Sequence, residues 1–232
     1  GKSILLISAD LDEVRSLSDR LAVIYGGRIS LLVAVMAVAI ALISGSLLGA
    51  TAAYAVLVPV AETAEGLSLL YEVRSSALRH HRGEVCFPGG RLEPGETPAA
   101  CALRETWEEL SLPPESVEVF GQADFLHLRS EGLMYPVIGL LPENALSLLR
   151  PNPQEVQEVF CVPLSYLRAH PPALYHYPLQ PQVGPDFPYR QVQTPPDYQW
   201  TPGCMEVPVY SGLPHPLWGL TARITAHFLS SL

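Results

Sequence analysis

The fold of this chain is decided by the stretch Gly90-Arg-Leu-Glu-Pro-Gly-Glu96-Thr-Pro-Ala-Ala-Cys-Ala-Leu-Arg104-Glu-Thr-Trp-Glu-Glu109-Leu-Ser-Leu112. Within it, Thr97 can cap a helix whose first position is Pro98, because proline is tolerated where no intrahelical N–H bond is needed. The stretch therefore predicts a helix over residues 98–110.

Three carboxylates lie together on that helix. Glu108 and Glu109 follow Glu105 by three and four positions, which places all three on one face. Like charges so close repel unless a cation joins them, and hard divalent ions such as Mg²⁺ or Mn²⁺ take carboxylate oxygens. Taken alone, such an acidic run is more typical of a solvated helix face.

The residues around the carboxylates favour the metal. Reading from Gly90, a Glu, an Arg-Glu pair and a Glu-Glu pair follow at spacings that resemble the Nudix box, and seven of its nine specified positions agree. Thr106 stands where that pattern has an aliphatic residue, and Ser111 where it has a glycine just past the helix. If that last position is left-handed, a serine there costs about 1 kcal/mol.

The stretch before the box resembles one branch of that family. The run Leu70-Tyr-Glu-Val-Arg74-Ser75, followed by Arg79, Gly83 and Phe87-Pro-Gly-Gly90, resembles the extra motif of the coenzyme A diphosphatase branch of that family. The branch usually has two leucines and a threonine where this chain has Leu-Tyr-Glu. Near the end, Glu206-Val-Pro-Val-Tyr and Trp218-Gly-Leu-Thr-Ala-Arg-Ile resemble the same branch.

The resemblance implies both a fold and a reaction. The fold is an α/β sandwich, the Nudix α/β/α arrangement with a mixed sheet. The reaction is metal-dependent hydrolysis of the pyrophosphate of coenzyme A or its thioesters, giving 3′,5′-ADP and 4′-phosphopantetheine. By resemblance, Glu105 and Glu109 hold Mg²⁺ or Mn²⁺ with the backbone carbonyl of Gly89, and Glu108 is a further ligand or a water-orienting base. A bound water is then activated to attack phosphorus.

Other site residues follow from the same resemblance and from their neighbours. Glu96 and Arg104 would pair and fix the box loop against the helix, a structural role that they share with Gly90. Glu155 and Glu158 are second candidates for the catalytic base, although a carboxylate pair there is also typical of an ordinary loop and strand edge.

The substrate's 3′-phosphate requires cations, and guanidinium groups suit phosphate oxygens. Arg74 and Arg79 match the branch motif, while His80, His81 and Arg82 lie in the same loop. The histidines are also typical of an exposed loop. Two further functions stay open: hydrolysis of another nucleoside diphosphate compound such as ADP-ribose, and a membrane-tethered, catalytically silent binding module.

Apolar runs predict the remaining elements. Strands are expected at 54–60, 67–74, 117–123, 135–141 and 156–162, with a last helix at 217–229. Residues 171–216 contain 12 prolines, which predict an extended loop rather than a helix. This segment could be a wall for the pantetheine arm, a homodimer contact, or a packed connection over the sheet.

Composition excludes several protein classes. The 232 residues are 16 % charged and 48 % hydrophobic, which is too apolar for a disordered chain. The net charge of −9 does not predict a nucleic-acid-binding surface. Four widely spaced cysteines without a CxxC pair favour a reduced, intracellular protein, and we expect it to be cytoplasmic.

The first 50 residues differ from the rest of the chain in the sequence patterns that they contain. Residues 1–30 resemble the switch-loop end of an ABC transporter ATPase, but the sequence has no GxxxxGK[ST] to bind ATP phosphates, so no ATPase activity is expected. Residues 31–50 are uncharged and as a helix would measure about 30 Å, enough to cross a membrane.

This apolar segment resembles the first span of a transporter permease, and the alternative is a buried helix. A span here would place the following residues outside the cell, because the flanking arginines all precede it. That conflicts with a cytosolic substrate. We therefore expect residues 1–50 to be incidental and residues 51–232 to form the Nudix hydrolase domain.

Overall fold

The computed structural model describes residues 24–25, 28–29, 52–128 and 132–232. The chain divides into two compact units, residues 1–51 and residues 52–232. In the first unit, strand β1 (Ile24–Tyr25) pairs antiparallel with β2 (Arg28–Ile29). The predicted ATPase-like fragment over 1–30 lies, apart from these two strands, outside the described residues, and so does the apolar segment 31–50. No helix in the described ranges has the length and apolarity that a membrane span requires.

The second unit is built on one mixed sheet. Its strands are β3 (Ala52–Thr63), β4 (Gly66–Arg74), β5 (Val85–Cys86), β6 (Gly89–Arg91), β7 (Glu118–Gln122), β8 (Leu126–Leu128), β9 (Gly132–Leu140) and β10 (Val156–Pro163). The central order is β10-β4-β3-β9-β7, with β5, β6 and β8 paired to β4, β3 and β9. The β3–β9 pair is parallel and the other pairs are antiparallel.

Helices cover both faces of this sheet. They are α1 (Pro98–Leu110), α2 (Ala145–Leu148), α3 (Leu164–Ala169) and α4 (Gly219–Ser230), with a 3₁₀ turn at Pro114–Ser116. Strand β3 is buried on both sides, which explains its unbroken apolar run. Ala55 and Leu57 pack in a core with α1, whereas Val56 and Val58 pack in a second core with α4. The predicted α/β/α sandwich with a mixed sheet is confirmed.

Helix α1 begins and ends as the sequence predicts. The Thr97 hydroxyl accepts a hydrogen bond from the Ala100 N–H at 3.2 Å, and Pro98 occupies the first position. Thr106, the polar replacement in the box, is buried but donates to the Ala102 carbonyl at 2.7 Å. Its hydroxyl is thereby satisfied within the helix.

Ser111 ends the helix in the left-handed conformation, with φ 58°. We expect Ser111→Gly to stabilise the fold by about 0.5 to 1 kcal/mol, because glycine adopts this conformation without a Cβ penalty. The substitution also removes the exposed hydrogen bond from the Ser111 hydroxyl to the Arg150 carbonyl, at 3.1 Å. Urea unfolding of both proteins measures the difference. A loss of stability would mean that this hydrogen bond outweighs the backbone strain.

The expectation of an extended loop over 171–216 holds for residues 180–202, which contain no helix or strand, but is wrong on either side of them. Strands β11 (Ala173–Leu179) and β12 (Gly203–Tyr210) pair antiparallel there, and β12 also pairs with β13 (Leu217–Trp218). Pro178 lies on β11, which is an edge strand. Pro208 lies on β12 just before Val209 and Tyr210, the two residues that pair with β13, so it has a neighbouring strand on one side only. Proline is tolerated in a sheet where one side of the strand has no neighbour to bond, so proline density alone did not exclude strands.

Candidate functional site

Two glycines of strand β6 bring the box loop against helix α1. The Gly89 N–H donates to Glu109 Oε2 at 2.9 Å. At Gly90, a Cβ would lie 2.3 Å from Glu105 Oε1, so the Glu105 carboxylate rests directly on the glycine backbone. Glycine is required here by the close approach of the Glu105 side chain.

Arg104 joins the carboxylates of the box loop and the helix. It donates to both oxygens of Glu96, through Nε at 2.9 Å and Nη2 at 3.1 Å. Its Nη1 donates to Glu105 Oε1 at 2.8 Å and, more weakly, to Glu108 Oε1 at 3.4 Å. The Glu96–Arg104 pair is the predicted one, and its forked geometry is the stronger type of ion pair.

The Arg104 guanidinium lowers the pKa of Glu96 to about 2. A carboxylate whose folded pKa is depressed stabilises the fold above its ordinary pKa, and this contribution is lost as the pH falls toward the folded value. We expect Glu96→Gln to lower the melting temperature at pH 7, and the deficit to shrink as the pH falls from about 4.5 toward 2. Thermal unfolding across that range tests this, with the exposed Glu93→Gln as a control. A deficit independent of pH would contradict the ion-pair explanation.

Glu109 is the most buried carboxylate of the box, at 5 % exposure. Its pKa is raised to about 8, chiefly by burial and in addition by the Glu105 and Glu155 carboxylates, while the hydrogen bond from Gly89 opposes the rise. Burial also raises the pKa of Glu105. These carboxylates therefore lie in an environment that disfavours their charge unless a cation accompanies them.

A loop after α2 brings Glu155 to this helix face. The Asn152 N–H donates to the Glu109 carbonyl at 2.7 Å, which attaches the loop to the end of α1. The Ser75 N–H donates to the Glu155 carbonyl at 2.8 Å, which attaches the same loop to the end of β4. Glu158 is held elsewhere, because its Oε2 lies 3.1 Å from His215 Nε2 near the surface.

The donor chemistry of this face fits a hard divalent cation. No three His, Cys, Asp or Glu side chains in the described ranges form a ready-made metal site. The half-buried Glu105 and buried Glu109 nevertheless carry carboxylate oxygens; Glu105 raises the pKa of Glu109, and Glu155 raises the pKa of both. A divalent cation would relieve that repulsion, and carboxylate oxygens are the ligands that Mg²⁺ and Mn²⁺ take.

A cavity of about 730 Å³ adjoins the box glycines. Its lining includes Arg74, His80 and His81, the beginning of α4, and Trp218 of β13. Gly89 and Gly90 form part of the lining. Arg79 and Arg82 are exposed in the same loop but do not line the cavity. The volume is within the usual range of small-molecule sites.

Tyr54, Met134 and Leu220 also line the cavity. No local pattern in the sequence marks them, because they come from strands and a helix that are far apart in the chain. Trp218 stands out in the sequence only as part of a resembling motif. The proline-rich segment 171–216 supplies none of the cavity's lining residues.

Comparison with known proteins identifies the family of this chain. A family model for the NUDIX domain matches residues 51–182. "Nudix hydrolase 3" of Caenorhabditis elegans is 42 % identical over 120 residues, 51 % of this chain and 50 % of that protein. "Peroxisomal coenzyme A diphosphatase NUDT7" of Mus musculus is 42 % identical over 135 residues, 58 % of this chain and 56 % of the relative.

A third relative aligns over more of both chains. "Mitochondrial coenzyme A diphosphatase NUDT8" of Mus musculus is 37 % identical over 176 residues, 75 % of each. The chain spans only about half the length of the first two relatives. The domain match nevertheless covers more than half of this chain and contains the whole box. The chain belongs to the Nudix family.

Proposed function

We propose that this chain hydrolyses the pyrophosphate bond of coenzyme A and its thioesters, giving 3′,5′-ADP and 4′-phosphopantetheine or its acyl derivative. The observation that carries the proposal is the cavity that joins the box glycines to Arg74, His80 and His81. The cavity borders Gly89 and Gly90, which contact the carboxylates of α1, and it contains the Arg74 guanidinium, which supports a substrate with a pyrophosphate and a separate phosphate. Two mouse relatives named as coenzyme A diphosphatases support the same substrate.

Glu105, Glu108 and Glu109, with the backbone carbonyl of Gly89, are proposed to hold Mg²⁺ or Mn²⁺. Such an ion would offset pyrophosphate charge and lower the pKa of a bound water. The chain's own contribution is orientation. Arg104 holds the Glu105 carboxylate at 2.8 Å, and the Gly89 N–H holds that of Glu109 at 2.9 Å.

Glu155 is the better placed of the two candidate bases in the loop after α2. Its carboxylate acts electrostatically on Glu105 and Glu109, so it lies near the proposed metal ligands. Glu158 faces His215 instead. We therefore propose Glu155, with Glu108 as the alternative on the helix, as the group that accepts the proton of the attacking water.

Arg74 is proposed to bind a substrate phosphate. It lines the cavity, and its buried Nε has no hydrogen-bond partner. An unpaired buried donor is costly unless a ligand satisfies it. Arg79, in the same loop, is proposed to add a second guanidinium toward the 3′-phosphate.

The test compares coenzyme A with its 3′-dephospho form, using the full chain with Mg²⁺ or Mn²⁺ and identifying products by mass. We expect kcat/KM to favour coenzyme A by about tenfold or more, since a charge-assisted hydrogen bond contributes about 1.5 to 3 kcal/mol. Arg74→Gln and Arg79→Gln should reduce that preference. The exposed Arg168→Gln on α3 should not.

Each other outcome points away from the proposal. Equal turnover of both compounds would refute the arginine argument. Intact coenzyme A with turnover of ADP-ribose would favour another Nudix reaction. Unaltered ligand after long incubation with Mn²⁺ would favour the silent binding module. A cytoplasmic location and a homodimer stay predictions, which fractionation of cells and light scattering of the purified chain would test.

A further inference from the structure

Tyr71 is a buried tyrosine of β4 that the proposed function does not use. It is fully enclosed in the core that contains α4. Its hydroxyl lies 3.0 Å from the hydroxyl of Thr225 on α4, although the two residues are 154 positions apart in the sequence. The motif that residues 70–74 resemble has a leucine at this position, so the hydroxyl is a feature of this chain and not of that pattern.

The hydrogen bond between Tyr71 and Thr225 has a defined direction. The Thr225 hydroxyl donates its proton to the Thr221 carbonyl, one turn earlier in α4, at 2.9 Å. A hydroxyl has only one proton to donate, so Thr225 accepts from Tyr71. Burial raises the pKa of Tyr71 well above its ordinary value, and the phenol therefore keeps the proton that it donates.

The ring of Tyr71 is held by two other aromatic rings. It stacks on Phe87 with ring centroids 4.9 Å apart, and on Phe160 of β10 with ring centroids 5.5 Å apart. Aromatic pairs at such distances stabilise a fold beyond the burial of their area. Because both neighbours would have to move with the ring, its hydroxyl is a fixed point to which α4 is attached.

The helix attached by this hydrogen bond forms part of the cavity wall. Leu220, Thr221 and Ile224 line the cavity from α4, and Val85 of β5 lines it from the sheet. The Thr221 hydroxyl donates to the Val85 carbonyl at 2.9 Å, which joins the helix to that strand. Thr225 lies one turn further along the same helix face, so the bond from the tyrosine fixes the turn that carries this wall.

We propose that Tyr71 is a positioning residue for substrate binding, because its hydrogen bond to Thr225 holds the α4 wall of the cavity in the position that binds the substrate. Tyr71 does not line the cavity, so it acts through the helix and not by contact with the substrate. The proposed metal ligands lie on α1, which packs in the other core. The hydroxyl therefore contributes to substrate affinity and not to the chemical step. This inference rests on the proposed function, since it takes the cavity as the substrate site.

The test removes the hydroxyl and keeps the ring. Tyr71→Phe can retain both stacking contacts, and it leaves no buried donor without a partner, because Thr225 still donates to the Thr221 carbonyl. We expect the KM for coenzyme A to rise about three- to tenfold, the factor that corresponds to one lost neutral hydrogen bond. The kcat should stay within about twofold of the parent. Steady-state kinetics of the full chain with Mn²⁺ measures both.

Hydrogen exchange supplies a readout that needs neither substrate nor metal. In Tyr71→Phe, the amides of residues 219–230 should exchange at least about threefold faster, because the helix has lost one attachment to the sheet. The amides of residues 98–110 should exchange as in the parent. Tyr135→Phe is the matched control: it removes a tyrosine hydroxyl beside the core that contains α1, and it should change neither the KM nor the exchange of α4.

Variants of Thr225 separate the hydrogen bond from the tyrosine ring. Thr225→Val leaves the Tyr71 hydroxyl buried without its acceptor, so it should melt at a lower temperature than Tyr71→Phe. The double variant, Tyr71→Phe with Thr225→Val, should recover stability relative to Thr225→Val alone. Thr225→Ser keeps the accepting hydroxyl and should keep the KM of the parent.

Several results would overturn the proposal. An unchanged KM in Tyr71→Phe would show that the hydroxyl does not affect substrate binding, and a fall in kcat alone would assign it to the chemical step. Equal exchange of residues 219–230 in both proteins would show that the hydroxyl does not hold α4. Absence of coenzyme A turnover in the parent would instead refute the proposed substrate. In that case, the exchange of α4 and the KM for ADP-ribose decide the role of Tyr71.

Discussion

Glu109→Gln is expected to reduce hydrolysis by at least about 10³-fold, because it removes the charge of the carboxylate that lies deepest among the proposed metal ligands. Glutamine keeps the length of the side chain, and its carbonyl oxygen can still accept the hydrogen bond from the Gly89 N–H. The loss should therefore come from weakened metal binding and not from a displaced loop. Turnover at saturating substrate and the Mn²⁺ dissociation constant are measured together.

Stability separates this explanation from a structural one. Burial and neighbouring carboxylates disfavour charge at Glu109, so the metal-free variant should melt at or above the temperature of the parent. Glu115→Gln, an exposed carboxylate in the 3₁₀ turn just after α1, is the control and should change neither quantity. A Glu109→Gln protein with full activity would rule out this residue as a required metal ligand.

Local chemistry explains why much of the site was predictable. The Thr97 cap, Pro98 and the left-handed Ser111 fix both ends of α1 through bonds within a few residues. Once the helix is fixed, the spacing of Glu105 and Glu109 determines that they share a face. The Glu96–Arg104 pair is also local, because it crosses only the loop that leads into the helix.

The rest depends on contacts between distant parts of the chain. No spacing in the sequence predicts that Glu72 on β4 is buried with an oxygen that has no hydrogen-bond partner. The cavity joins Tyr54 of β3 to Trp218 of β13, and their approach depends on how α4 packs on the sheet. Strands β11 and β12 were missed because their prolines obscured a pairing that only the register reveals.

Alanine is expected to lower the stability of the fold at Gly89 and to lower turnover at Gly90. At Gly89, a Cβ would lie 2.3 Å from the Ala55 carbonyl oxygen and 2.6 Å from the Val56 Cα. Both atoms belong to the backbone of the central strand β3 and cannot move away, so Gly89→Ala should cost about 3 kcal/mol or more in unfolding free energy.

At Gly90, the nearest atoms to a Cβ belong to the Glu105 carboxylate, with Oε1 at 2.3 Å and Oε2 at 2.6 Å. That group is the end of a flexible side chain and can move. Gly90→Ala should therefore change the free energy of unfolding by less than about 1 kcal/mol. It should lower turnover by about 10²-fold, because a functional group displaced by about 1 Å no longer has its productive geometry.

Thermal unfolding and turnover of both variants distinguish backbone packing from carboxylate placement. Gly121→Ala on β7 is the control, because a Cβ there meets nothing within 4 Å. If Gly90→Ala kept full activity, the position of Glu105 against the glycine backbone would be unimportant for the reaction. If Gly89→Ala kept full stability, strand β3 would have to yield at Ala55, where it is buried from both faces of the sheet. The two substitutions thus test separate tasks for adjacent glycines: Gly89 joins the box to the sheet, and Gly90 leaves room for the Glu105 carboxylate, a proposed metal ligand.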